Sequence, residues 1–154
     1  MSIPTIREPL SQKDIIYFLL TDRFYNYAWE NNAILAEDVL GSPNRYHGGN
    51  FAGIAQKIPY LVHLGVTALW ITPVYLSIGS YLGQDGYHGY WALDFEKVDP
   101  HLTSSNRNGR EELADLVEQL HSNGIKVILD MVVNHTGYHT PEYRKHISLP
   151  IHWF

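Results

Sequence analysis

Val127-Ile128-Leu129-Asp130-Met131-Val132-Val133-Asn134-His135-Thr136 is an apolar, β-branched run that delivers an Asp and then an Asn-His pair where a strand gives way to a loop. In an α/β barrel that is the address of substrate and metal ligands, because sites collect at the C-terminal ends of parallel strands. The strand is read as Ile125 to Val133, with Asp130 inside it, where a carboxylate is costly unless bonded. Such an Asp is structural or belongs to an active site.

Upstream of this run the pattern repeats. Leu113, Leu116, Val117 and Leu120 lie on one helical stripe that ends at Gly124. Thr67 to Val74 reads as a second strand. Before it, a helix capped by Asn50 carries Ile54, Ile58, Leu61 and Leu64 and closes at Gly65. Pro59 inside that helix predicts a kink or a broken first half. Ile15-Ile16-Tyr17-Phe18-Leu19-Leu20 is a continuous apolar run, as expected for a strand buried on both faces.

Alternating strands and helices imply right-handed βαβ units and a parallel sheet. No Gly-rich phosphate loop follows the first strand, so a nucleotide-binding sheet lacks its signature. Two long segments, Asp22 to Asn50 and Tyr75 to Asn108, read as loops, and loops of that length inside a compact domain are usually functional.

The bulk numbers narrow the function classes. A length of 154 residues suits one ordinary domain, and 45% hydrophobic with 18% charged residues describes a globular chain. A formal net charge of −5 argues against a nucleic-acid partner. No apolar run is long enough to span a bilayer, and no like-charge run suggests a membrane surface, so no membrane partner is expected. The chain has no Cys, which removes disulfides and thiolate metal sites. Met1 to Glu8 lacks the basic start and apolar core of a leader. The expectation is a cytoplasmic protein, or a secreted one whose leader has been removed.

Three constellations carry candidate chemistry. Asn134 can offer an amide oxygen to a hard cation such as Ca²⁺, and His135 can donate to a sugar hydroxyl; the alternative is a simple strand-end turn. In Gly86-Tyr87-His88-Gly89-Tyr90-Trp91, two glycines flank an imidazole among aromatic rings. That loop can stack a pyranose and donate to its hydroxyls, or it is a packed aromatic cover over the strand ends. The third is amide-rich: Asn26, Asn31, Asn32, Gly48, Gly49 and Asn50, either a Ca²⁺ site or a set of turns. None of the His residues shows a helical metal spacing, so zinc is not expected.

Together these segments resemble the N-terminal part of the α-amylase family of retaining glycoside hydrolases. The segments are Ile16 to Phe24, Tyr46 to Ile54, Leu64 to Pro73, Gly86 to Pro100 and Gly124 to Thr136, in order across roughly residues 14–138. The resemblance implies the N-terminal portion of a TIM (β/α)8 barrel, about three βα units, over 1–154. Residues 138–154 would begin the loop domain inserted after the third strand. A full barrel typically needs about 250 residues.

The resemblance also implies roles. Tyr90 would stack on the sugar beside the scissile bond, supported by Trp91, with His88 and His135 bonding its hydroxyls. Asn134 would ligate a structural calcium. Asn26, Asn31, Asn32, Gly48 and Asn50 fall where cyclodextrin-glucanotransferase-like members hold a second calcium. Asn stands for the usual Asp at 26 and 50, and Ala28 for the usual Asn, which implies a weakened second site. Substrate and partner would be an α-glucan or maltooligosaccharide. No residue matches the family's nucleophile or acid/base; retaining hydrolysis needs two carboxyl groups about 5–5.5 Å apart, and Asp85, Asp94 and Asp130 do not supply them. The chain alone is therefore expected to be inactive. It reads as part of an α-glucan-active enzyme, or else as a non-catalytic sugar-binding or functionless chain. Exposed barrel edges imply self-association.

Overall fold

The computed structural model describes residues 9–27, 42–104 and 108–137. Asn31, Asn32 and the expected loop domain at 138–154 lie outside the described residues.

The order of elements follows the apolar pattern. Strand β1 (Ile16–Leu19) leads into a single helical turn, α1 (Thr21–Phe24). Helix α2 (Phe51–Gln56) begins at Asn50, whose side chain accepts from the Gly53 amide. Pro59 acts as expected: α2 ends at Gln56 and a separate α3 (Ile58–His63) starts afterwards, with the proline in its first turn. Gly65, at φ 81°, stops α3, and the chain enters β2 (Ala68–Ile71). Helix α4 (Gly109–Ser122) is capped by Asn108, carries Glu111 and Glu112 in its first turn and His121 in its last, and ends at Gly124. The two glutamates complement the positive end of the helix dipole. Strand β7 (Lys126–Leu129) follows.

Strands β1, β2 and β7 form one parallel sheet in the order β1-β2-β7, with Tyr17, Leu69 and Val127 in register and Leu19, Ile71 and Leu129 two residues on. On one face Leu19, Leu69 and Ile71 pack against Phe51, Ile54, Ile58, Leu61, Leu116 and Leu120, which form the core. Burying each large aliphatic side chain contributes about 1.5–3 kcal/mol, so this one-sided layer holds the three strands together. The other face is open among the described residues. Ile16 and Phe18 are each 51% exposed, so β1 is not buried on both faces as its apolar run predicts. Its apolar residues on that side have no layer to meet among the described residues.

Two further readings are corrected. Strand β7 ends at Leu129, so Asp130 sits just past the strand rather than inside it. The segment after β2 is not an irregular loop. It holds β3 (Tyr75–Ser77) paired antiparallel with β6 (Ala92–Val98), and a small hairpin of β4 (Ser80–Tyr81) and β5 (Gln84–Asp85). The hairpin turns through Leu82 at φ 49° and Gly83 at φ 82°, the left-handed pair that matches strand twist in two-residue turns. A 3-10 turn, Pro100–Leu102, is capped by Asp99 and leads towards α4. No described helix is long and apolar enough to cross a membrane.

Candidate functional site

The carboxyl ends of β1, β2 and β7 place Thr21, Thr72 and Asp130 along one rim, and the segment between β5 and β6 folds over it. Gly89 sets the approach. Its φ is +79°, and a Cβ there would lie 2.1 Å from the Pro73 carbonyl oxygen, so only glycine lets the loop cross the end of β2 this closely. The return after β7 is fixed by Gly137, whose amide donates to the Ala92 carbonyl at 2.8 Å.

This crossing brings the aromatic loop and the Asn-His segment together. The Tyr90 hydroxyl donates to Asp130 Oδ2 at 2.7 Å, and the Trp70 indole N–H donates to the same oxygen at 3.2 Å. The Tyr90 amide donates to His88 Nδ1 at 3.0 Å, and His135 Nε2 lies 3.0 Å from the Tyr90 carbonyl. The His88 and Tyr90 rings lie nearly parallel with centroids 5.9 Å apart, while Trp91 meets His88 edge-on at 4.7 Å. Trp91 thus contacts the His88 ring.

The hydrogen bonds decide the histidine tautomers. His88 accepts at Nδ1, so the neutral ring carries its proton on Nε2 and can donate it outward. Burial first, and then the Arg23 charge, lower the His88 pKa and favour that neutral form. His135 faces a carbonyl, which only accepts, so its N–H is on Nε2 and is already used. Its Nδ1, an acceptor in the neutral ring, is what remains for a ligand. The site therefore offers one imidazole donor, one imidazole acceptor and a half-buried phenol.

Burial is the first cause, and the Asp130 hydrogen bond the second, that pushes the Tyr90 phenol up to about 12. A phenol that keeps its proton at neutral pH remains a donor to Asp130.

Beneath this rim lies a carboxylate that the sequence reading missed. Asp22 is buried, accepts from the His47 amide at 2.9 Å and the Gly48 amide at 3.0 Å, and pairs with Arg23. Burial raises its pKa against the opposing pull of those amides and of Arg23. Arg23 also lies 3.9 Å above the Tyr87 ring, which sits edge-on to His88. The Asp22 cluster is thereby joined to the aromatic loop. Its sequence signal was an Asp two residues past the first apolar run, within the segment Ile16 to Phe24.

Asn134 and the amide-rich set are the expected calcium ligands. Asn134 is exposed on the rim and supplies one neutral oxygen, whereas Ca²⁺ takes six to eight. No group of three or more His, Asp or Glu able to hold a metal occurs among the described residues. Of the second set, Gly48 gives its amide to Asp22, and Asn50 is engaged at both ends of its side chain. Asn26 is half-buried beside them, and Asn31 and Asn32 lie outside the described residues.

Residues 18–151 match the family model for the alpha-amylase catalytic domain. The chain belongs to the alpha-amylase family. It is 39% identical over 147 residues to a beta/alpha-amylase of Paenibacillus polymyxa, covering 92% of this chain and 12% of that protein. With a cyclomaltodextrin glucanotransferase of Klebsiella oxytoca it shares 37% identity over 130 residues, 82% of this chain and 19% of the relative. Among solved structures, an Anoxybacillus alpha-amylase superposes with a TM-score of 0.73 at 38% identity, over 90% of this chain and 28% of that one. The Geobacillus thermoleovorans alpha-amylase complexed with acarbose gives 0.69 at 36% identity, over 90% of this chain and 27% of that one. The chain spans less than a quarter of the length of these curated relatives. Its parallel sheet, with helices on one face, is part of such an alpha-amylase barrel and not a closed one.

Proposed function

We propose that this alpha-amylase-family chain forms one wall of the sugar cleft of an α-glucan-active glycoside hydrolase, where it holds a glucose ring. The observation that carries the reading is the convergence of Tyr90, His88 and His135 at one strand-end rim. A pyranose face is apolar and suits an aromatic ring, while its hydroxyls need both donors and acceptors. The Tyr90 ring, the His88 Nε2–H and the His135 Nδ1 supply these. Relatives named as amylases and cyclomaltodextrin glucanotransferases support an α-glucan or maltooligosaccharide as the ligand.

Among the described residues, the carboxylates at and near the rim are already engaged. Asp130 Oδ2 is held by two donors, and Asp85 is buried while it accepts from the Tyr46 amide at 2.9 Å. The chain by itself binds sugar and does not hydrolyse it. Titration of maltooligosaccharides, followed by the amide signals of Tyr90 and His135, tests this. Binding that disappears in Tyr90→Ala supports the reading; unchanged signals at millimolar sugar refute it.

A further inference from the structure

We propose that the Asn50 side-chain amide takes the place of a bound cation in joining the 22–27 segment to the head of helix α2, so that this junction is metal-independent. Asn50 is 1% exposed. Its Oδ1 accepts from the Gly53 amide at 2.8 Å, and its Nδ2 donates to the Tyr27 carbonyl at 3.1 Å. The two partners fix the amide orientation between them. An N–H can only be met by the oxygen and a carbonyl only by the NH₂, so a flipped amide would lose both bonds.

Among the described residues the surroundings match this assignment. Carbonyl oxygens of the 22–27 segment face residues 49 and 50, but each has a proton donor. The Gly49 amide meets the Asp22 carbonyl at 2.8 Å, the Asn50 amide meets Tyr25 at 3.3 Å, and Asn50 Nδ2 takes Tyr27. Gly53 brings the helix hard against this seam, since a Cβ there would lie 1.9 Å from the Tyr25 oxygen. The nearby Asp22 carboxylate is spent on two backbone amides and Arg23. A hard cation needs oxygen lone pairs aimed at one point; here the atom facing the Tyr27 oxygen is a donor nitrogen.

The same geometry says what one atom would change. In Asn50→Asp one carboxylate oxygen can still cap Gly53, but the other is left against the Tyr27 carbonyl, with no proton between two acceptors. Without metal that contact is repulsive. A cation such as Ca²⁺ would relieve it, which converts a metal-independent seam into a metal-dependent one.

The experiment compares thermal unfolding of the wild-type chain and N50D, each in EDTA and in millimolar CaCl₂, with the Gly48, Gly53 and Asn50 side-chain NMR signals of the wild type followed through the same titration. The expected result is a wild-type melting temperature and seam signals that ignore calcium. In N50D the melting temperature falls by about 5 °C in EDTA and recovers with calcium. Calcium-dependent shifts of the wild-type Gly48, Gly53 or Asn50 signals overturn the proposal, as does an N50D chain that melts in EDTA with the wild type. If N50D fails to fold, the wild-type titration decides alone, because the proposal requires those signals to stay fixed.

Discussion

The Tyr90 hydroxyl and the Asp130 carboxylate, 40 positions apart in sequence, are 2.7 Å apart in space, and Trp70 donates to the same carboxylate oxygen. Three strand-end segments therefore meet on one atom. Asp130 anchors the Tyr90 hydroxyl, and under the proposed function it orients the ring without touching the sugar itself. Burial is the larger cause that raises the phenol to about 12, and Asp130 the second. In Asp130→Asn the Tyr90 ionisation should fall while staying above the ordinary value of 10, and the Trp70 indole signal should move. Ultraviolet titration of the wild type, D130N and Tyr90→Phe isolates the Tyr90 step. A Tyr90 pKa identical in wild type and D130N would remove Asp130 from the site.

At the opposite end of the sheet, Asp14 joins all three strands. It accepts from Lys126 Nζ at 2.9 Å and from Thr67 Oγ1 at 2.9 Å, and Thr67 Oγ1 accepts from the Ile15 amide at 2.9 Å. The Lys126 bond is the largest cause, followed by the Ser11 amide, that holds the Asp14 carboxyl far below its ordinary value of 3.8. A carboxylate whose folded-state pKa is depressed stabilises the fold above its unfolded pKa, and that stabilisation is lost as pH falls below it. Wild-type denaturant midpoints should therefore drop as pH falls below about 4. In Asp14→Asn the midpoint should be lower at neutral pH and its acid limb flatter. Parallel acid limbs in the two proteins would show that Asp14 is not paired in the folded state.

Gly89 is the position where a single methyl group should remove the site without touching its chemistry. A Cβ would meet the Pro73 carbonyl oxygen at 2.1 Å, and the φ of +79° is strained for any L side chain. Gly89→Ala should cost on the order of 1–3 kcal/mol locally and displace Tyr90 from Asp130. The hydrophobic core on the other side of the sheet should survive. The check is loss of the Tyr90 and His135 amide shifts on sugar addition while helical circular dichroism is retained. Full sugar binding in G89A would mean that the loop is not held by this crossing.

The parts of this structure that were legible in the sequence are those governed by local pattern. Asn50 caps a helix, Pro59 divides one, and Gly65 and Gly124 stop two, each for a reason that lies within a few residues. The strand ends were less legible. Met131, Val132 and Val133 continue the apolar run past Leu129, so no periodicity marks where β7 stops. The donors on Asp130 come from Trp70 and Tyr90, far away in sequence. The β3 and β6 pairing was hidden for a similar reason: glycines at 79, 83, 86 and 89 suggest turns, but they do not say which strands the turns connect. The structure brings His88, Tyr90 and His135 together through the Tyr90 backbone, and the sequence motifs contain all three. They could not say that the His135 N–H is consumed by the Tyr90 carbonyl, because a tautomer is set by contacts that only the fold creates.

The open side of the sheet sets the last expectation. Ile16 and Phe18 are each 51% exposed and Trp70 is 39% exposed, all on the face away from the helices, and Phe18 packs edge-on to Trp70 at 5.1 Å. Strands β1 and β7 are the two edges of this sheet, so each has one side without a ladder among the described residues. An apolar face bounded by free strand edges favours association with another chain. We propose that the isolated chain self-associates through this face in the micromolar to millimolar range where exposed edges pair. Light scattering coupled to size exclusion should show mass rising with concentration. Phe18→Lys should shift the chain towards monomer, since it places a charge on the exposed face without entering the core. A wild-type chain that stays monomeric throughout that range would show that the face is covered in solution. An associating F18K chain would move the contact to another surface.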